Sequence, residues 1–291
     1  MIITIVGPTG IGKTKLSLEL AKEYNAEIIN ADSTQIYTEV DIATAKVKNK
    51  EMQGIKHHLL SIKKPNEEYS IYDYQVNGRK VIKNILSRGK TPIIVGGSGL
   101  YLSALLFNYK FTQDDNVNIF GSLSTDEMYE ALMSLNKSLH IDKNNHKRLI
   151  RYYKKYINNS EEVESSGKEL VYDTLIIGLT TQRKKLYEII NSRVDEMMEN
   201  GLLDEAKNIL SKYKNTKVVK TIIGYKEFIP YFNKEITLEK AIEDIKQNSR
   251  NLAKRQYTWF NNKMDVNWFE VNLNDFNKTI NEVIEFINKS S

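Results

Sequence analysis

The sequence predicts an α/β fold, a parallel sheet flanked by helices and carrying a small all-helical insertion, from three observations. Residues 7–14, GPTGIGKT, match G-x-x-x-x-G-K-[ST] at each fixed position and sit between an apolar run and helix-like sequence. Short apolar segments then recur, each leading through a turn of small or polar residues into helical periodicity, which is the alternation of a doubly wound sheet. Between about residues 114 and 170 the strand signals vanish, and helical patterns broken by polar joints replace them.

The first strand is the run Ile2, Ile3, Thr4, Ile5 and Val6, and the helix after the glycine-rich loop covers residues 13–24. A second strand spans 27–30, with Asp32 and Ser33 in its following turn; a third spans 92–95 and ends at Gly96, Gly97 and Ser98. Ligands of doubly wound sheets collect at the carboxyl ends of strands, so these three turns should converge. A fourth strand is expected at 175–179, ahead of a helix at 183–200. Helical periodicity marks 128–135 and 147–157 inside the insertion, which is either a lid able to move or an extra layer fixed to the core. The chain therefore divides into a core, 1–113 with 171–291, and an insertion, 114–170. Past residue 204 it is mostly helical, with the longest helix at 238–261 and the last at 275–288.

A chain of 291 residues can bury a full core, and 41% hydrophobic with 27% charged residues suits a soluble globular protein. The net charge of +5, from 42 basic against 37 acidic residues, permits an anionic partner without demanding one. With no cysteine, disulfides, cysteine-based zinc sites and thiol catalysis are excluded. No apolar run approaches the ~18 residues of a membrane helix, and the chain opens directly into a strand rather than a signal peptide. The expected setting is cytoplasmic, without a membrane partner, and a monomer is the default.

The loop chemistry makes the core P-loop NTPase-like. Its glycines let backbone N–H groups turn inward around a polyphosphate, and the helix N-terminus adds a positive dipole end. Gly7, Pro8, Thr9, Gly10, Ile11, Gly12, Lys13 and Thr14 form the cradle; Lys13 reaches a terminal phosphate, and the Thr14 hydroxyl ligates Mg²⁺. Asp32, at a strand end facing that loop, could hold Mg²⁺ through water, act as a general base, or cap the next helix. Arg183 could reach over the loop to neutralise a leaving phosphate, or be a solvated helix-start arginine. Positive charge also gathers in two stretches, 144–151 and 250–256, the latter beside Tyr257 and Trp259. Each is either a solvated helix face or a surface for phosphates and unpaired bases. His57 and His58 lack metal-ligand spacing and read as structural.

Taken together and in order, these segments resemble the tRNA dimethylallyltransferases, also called tRNA isopentenyltransferases. The resemblance runs from Ile2 to about Phe260. It rests on GPTGIGKT; on Asp32, Ser33, Gln35 and Tyr37 followed by Ile42, Ala43, Thr44, Ala45 and Lys46; and on His57, His58 and Leu59 with Pro65, Tyr69 and Ser70. Further blocks are VGGSGLY at 95–101, Asn144 and Asn145 with Arg148 and Arg151, the stretch from Ile177 through Arg183 and Tyr187 to RVDEM at 193–197, TIIGYKE at 221–227, and residues 247–259. Two departures stand out: Ala43 replaces the usual glycine, and the stretch after Leu106 lacks a proline-rich connection.

The resemblance implies transfer of a dimethylallyl group from its diphosphate to the exocyclic amine of adenosine 37, in the anticodon stem-loop of tRNA. It makes Asp32 the general base, with Ser98 placing the amine, and makes the loop, Lys13, Mg²⁺ at Thr14 and Arg183 the holders of the leaving diphosphate. It assigns tRNA contacts to Asp32, Ser33, Thr34, Gln35 and Ser98, and to Lys147, Arg148, Leu149, Ile150 and Arg151. Thr221, Ile222, Ile223, Gly224, Tyr225, Lys226, Ser249, Arg250, Lys254, Arg255 and Gln256 complete that surface. Two rivals share the phosphate loop: a kinase of small molecules or nucleotides, and an adenylate isopentenyltransferase acting on a free nucleotide. The kinase lacks a clear apolar run ending in Asp for its second metal contact. The basic helices favour a large RNA over a free nucleotide.

Overall fold

The computed structural model describes residues 1–109, 124–135, 141–144, 149–150, 152–153, 169–214 and 216–290. Six strands form one parallel sheet: β1 (Ile2–Val6), β2 (Ala26–Asn30), β3 (His57–His58), β4 (Thr91–Val95), β5 (Thr174–Thr180) and β6 (Asn267–Glu270), in the order β3-β2-β4-β1-β5-β6. The four expected strands are present. The two edge strands, β3 and β6, carry no pattern long enough to announce them.

Alternation along the strands explains why both faces are covered. Ile2, Val6, Ile29, Ile94 and Ile176 face one apolar cluster, which α2 (Ile71–Ser87) and α3 (Gly99–Leu106) help to build. Ile3, Ile5, Ile28, Ile93, Ile177 and Leu179 face the other, under α1 (Lys13–Glu23) and a C-terminal helix at Phe276–Ser290. Helix α4 (Thr125–Leu135) lies in the insertion; α5 (Arg183–Glu199), α6 (Leu202–Lys212), α7 (Lys217–Thr221), α8 (Phe228–Phe232), α9 (Leu238–Lys263) and α10 (Phe276–Ser290) come after β5. Buried strands and stripes of this kind draw their stability from apolar area removed from water, about 25 cal/mol per Å². Ser70 and Thr237 cap α2 and α9 through their side-chain oxygens, meeting otherwise orphaned N–H groups.

The connection from β1 leads to β2 on one side, and the connection from β4 returns across β1 to β5. The strand order reverses at β1, so the loops after β1, β2 and β4 meet at one end of the sheet.

By internal contacts the chain forms two compact units, Met1–Phe107 with Glu169–Ser291, and Asn108–Lys168. Within the second, Met128, Leu132, Ile141 and Leu149 make a small core. Among the described residues no helix is long and apolar enough to cross a membrane. His58 is tied to the buried Glu27 at 2.7 Å, and the hydrogen bonds of Arg88 above all, with those of His58 and Lys90, hold that carboxyl well below its usual range. No group of three or more His, Asp or Glu poised for a metal occurs among the described residues.

Candidate active site

A cavity of about 1420 Å³ opens in the larger unit where the three loops meet. Its phosphate side is the loop after β1. Gly12 caps α1 at φ 99°, a left-handed conformation that L side chains rarely adopt, and this turn aims the first helical N–H groups at the cavity. Lys13 does not project outward. Its Nζ donates to the carbonyls of Gly7, at 2.9 Å, and Pro8, at 2.7 Å, so those two residues serve as its holders rather than as cavity lining. Burial and the nearby Arg193 guanidinium pull Lys13 down to about 7, against an opposing pull from Asp32. An arriving polyphosphate would supply the missing counter-charge. The Thr14 hydroxyl is exposed and makes no hydrogen bond among the described residues. One hydroxyl beside a phosphate cradle fits a hard cation that takes its other ligands from phosphate oxygens and water.

The arginine brought to the cradle is Arg193, not Arg183. Arg193 Nη1 donates to Thr9 Oγ1 at 3.1 Å, and burial lowers its guanidinium from the usual value, partly offset by Asp32. Arg183 is exposed at the start of α5. Its Nε donates to Tyr187 Oη at 2.9 Å, its guanidinium lies over that ring, and it does not line the cavity. A sequence signal for Arg193 exists: it interrupts the apolar stripe of Leu186, Ile190 and Val194, where a cation needs a partner or a ligand.

In the same cavity lining, Asp32 Oδ1 accepts from Thr34 N at 2.9 Å and Thr34 Oγ1 at 2.7 Å, closing a tight turn. The carboxylate thus caps a turn and not a helix, and its Oδ2 receives no hydrogen bond among the described residues. Asn30 fixes the Asp32 backbone from both sides: its Oδ1 accepts from Asp32 N and its Nδ2 donates to Asp32 O, each at 3.0 Å. Ser98 Oγ accepts from Ser33 N at 2.9 Å and donates to Ser33 Oγ at 3.1 Å, joining the turns after β2 and β4. Tyr37, Tyr69 and Tyr101 add an aromatic wall that sequence reasoning missed, with Tyr101 stacked at 4.1 Å on the buried Tyr74.

The remaining expected contacts divide. Ser33, Thr34, Gln35, Thr221, Ile222, Ile223, Lys226, Ser249, Arg255 and Gln256 line the cavity, as does Trp259. Gly224 and Tyr225 are buried behind it, and Tyr225 Oη donates to Glu205. Arg250 is engaged by Asn191, Glu243 and Gln247, and Lys254 is exposed and not part of the lining. Leu149 is fully buried in the insertion's core and Ile150 packs against it, so their side chains serve packing. Lys147, Arg148 and Arg151 lie outside the described residues. Ala43 has an ordinary negative φ, so the residue standing in place of glycine imposes no strain.

Residues 35–263 match the family described as IPP transferase. The tRNA dimethylallyltransferase of Anoxybacillus flavithermus is 42% identical over 98% of this chain and 96% of its own length, and that of Bacillus cereus is 43% identical over 98% and 94%. A crystal structure of a tRNA isopentenylpyrophosphate transferase from Staphylococcus epidermidis aligns at TM-score 0.77 and 39% identity, over 100% of this chain and 99% of that one. A eukaryotic dimethylallyltransferase acting on tRNA aligns at TM-score 0.84 and 29% identity, over 99% and 79%. With phosphate cradle, carboxylate turn and sheet order all in the matched fold, the chain belongs to the IPP transferase family.

Proposed function

We propose that this protein transfers a dimethylallyl group from dimethylallyl diphosphate to N6 of adenosine 37 in tRNA. The carbon–oxygen bond to diphosphate breaks, the carbon–nitrogen bond forms, and the N6 proton passes to Asp32. The observation that carries the reading is one cavity lined both by a cationic phosphate cradle and by Asp32 with Ser98. Loop N–H groups, Lys13 and Arg193 neutralise the charge growing on the leaving diphosphate, where fixed donors act without reorganising. Mg²⁺, held by Thr14 and the diphosphate itself, adds Lewis-acid stabilisation when bound. The free Oδ2 of Asp32 is the proton acceptor, and Ser98 places the amine. Asp32, Ser33, Thr34, Gln35, Thr221, Ile222, Ile223, Lys226, Ser249 and Arg255 border the acceptor, with Lys147, Arg148 and Arg151 assigned from sequence alone. Relatives named for tRNA support an RNA acceptor, and we read the enzyme as cytoplasmic and monomeric.

The test is mass spectrometry of nucleosides from an anticodon stem-loop incubated with the protein, Mg²⁺ and dimethylallyl diphosphate. Prenylated adenosine is expected, and Asp32→Ala should lower turnover by ~10²-fold or more with stem-loop affinity nearly intact. Phosphoryl transfer from ATP without prenylated RNA would install the kinase instead, and turnover of free AMP in preference to RNA would install the nucleotide prenyltransferase.

A further inference from the structure

Gln256 belongs by sequence to the RNA surface, yet both ends of its amide are used inside the protein. Its Oε1 accepts from Thr9 N at 3.0 Å, and its Nε2 donates to Gly97 O at 3.1 Å. The residue is 7% exposed. The polarity is fixed, because an N–H on one side needs an acceptor and a carbonyl on the other needs a donor. A Cβ on Gly97 would lie 2.1 Å from Gln256 Nε2, so the close approach depends on that glycine. Strand pairing ties the loops after β1 and β4 together only as far as Gly96 N to Ile5 O, at 3.2 Å. Beyond that bond, among the described residues, Gln256 is the hydrogen-bonded link between them.

The two loops hold the two halves of the reaction. Thr9 belongs to the phosphate cradle and also receives Arg193. Gly97 immediately precedes Ser98, which holds the Asp32 turn through Ser33. We propose that Gln256 is a positioning residue, a strut that sets the separation between the donor's diphosphate and the acceptor amine. The inference rests on the prenyl-transfer reading above. Displacement at carbon needs the reacting atoms held about 3–3.5 Å apart, and a shift of ~1 Å can cost ~10²-fold in rate. A strut across the two loops is therefore felt in the chemical step, not in the affinity for either substrate.

Gln256→Met keeps the length and apolar stem and removes both hydrogen bonds. Gln256→Glu keeps an acceptor for Thr9 and sets an oxygen against the Gly97 carbonyl. For each, three quantities are measured: the single-turnover rate of prenyl transfer to an anticodon stem-loop, the Kd for that stem-loop, and the Kd for inorganic diphosphate with Mg²⁺. Both variants should lose about 30-fold or more in rate with the stem-loop Kd within about threefold of wild type, and Gln256→Met, which adds no charge, should hold the diphosphate Kd within the same range. A weakened stem-loop Kd with an unchanged rate would make Gln256 an RNA contact and overturn the proposal, as would unchanged values throughout. If Gln256→Met does not fold, Gln256→Glu and Gly97→Ala break the same bond, and a normal rate in either overturns it. Wild-type protein that transfers no prenyl group would instead remove the reaction reading itself.

Discussion

Arg183 and Arg193 stand ten residues apart on α5, and their surroundings separate them completely. One rests on Tyr187 in solvent; the other is desolvated against Thr9 of the phosphate cradle. Arg193→Ala should therefore lower kcat by ~10²–10³-fold, the scale for losing one fixed donor to a developing anion. Arg183→Ala should stay within about threefold; steady-state kinetics of the two variants reversing that order would restore the sequence assignment. Lys13 yields a pH signature. Its folded value of about 7 lies below the ~10.4 of a free lysine, so the folded protein binds fewer protons than the unfolded chain between the two. Stability of the ligand-free protein should rise with pH through that window. Diphosphate binding at pH ~8.5 should take up more protons than it does with Lys13→Met, read by calorimetry in buffers of different ionisation enthalpy. Equal uptake in both proteins would place the proton elsewhere. The loop motif announced Lys13, whereas the Arg193 guanidinium that helps burial to lower it comes from a helix far along the chain.

Among the elements, the 41–45 loop shows how a helix can order a binding wall. Glu205, in the first turn of α6, accepts from Asp41 N and Ile42 N with one oxygen, and from Ala43 N and Tyr225 Oη with the other. Ala43, Thr44 and Ala45 line the cavity, and Gln35 reaches the Thr44 carbonyl. Glu205→Gln replaces one acceptor oxygen by a donor, leaving backbone N–H groups without a partner at about 1–3 kcal/mol each. A lower Tm and faster hydrogen exchange confined to residues 41–45 and the Tyr225 segment are expected; uniform exchange across the sheet would refute a local clamp. The main strands and helices were legible because their periodicities are long. The strands β3 and β6 were not, since two and four residues owe their pairing to neighbouring strands rather than to any pattern of their own.

For the whole molecule, the larger unit closes on itself where the insertion leaves it. Phe107 and Leu170 form an antiparallel bridge, and Val171 N donates to Leu106 O at 2.8 Å. The full sheet, both of its apolar faces and every residue of the cavity lie in this unit. Replacing residues 108–168 by a short Gly/Ser linker should leave a cooperatively folding protein that binds Mg²⁺-diphosphate like the parent. Its salt dependence of RNA binding should be shallower, with the loss of Lys147, Arg148 and Arg151. Failure to fold would mean that the insertion completes the core. The sequence by itself determined the sheet class and the phosphate loop, because strand–turn–helix alternation and the spacing of Gly7, Gly12, Lys13 and Thr14 are local patterns, whereas the base role of Asp32 came only with the family resemblance. Only the tertiary structure decided which arginine reaches the cradle and that Gln256 joins two loops. Those outcomes depend on which side chains a strand order brings together across 150 residues or more of chain, as with Thr9 and Arg193 at a separation of 184.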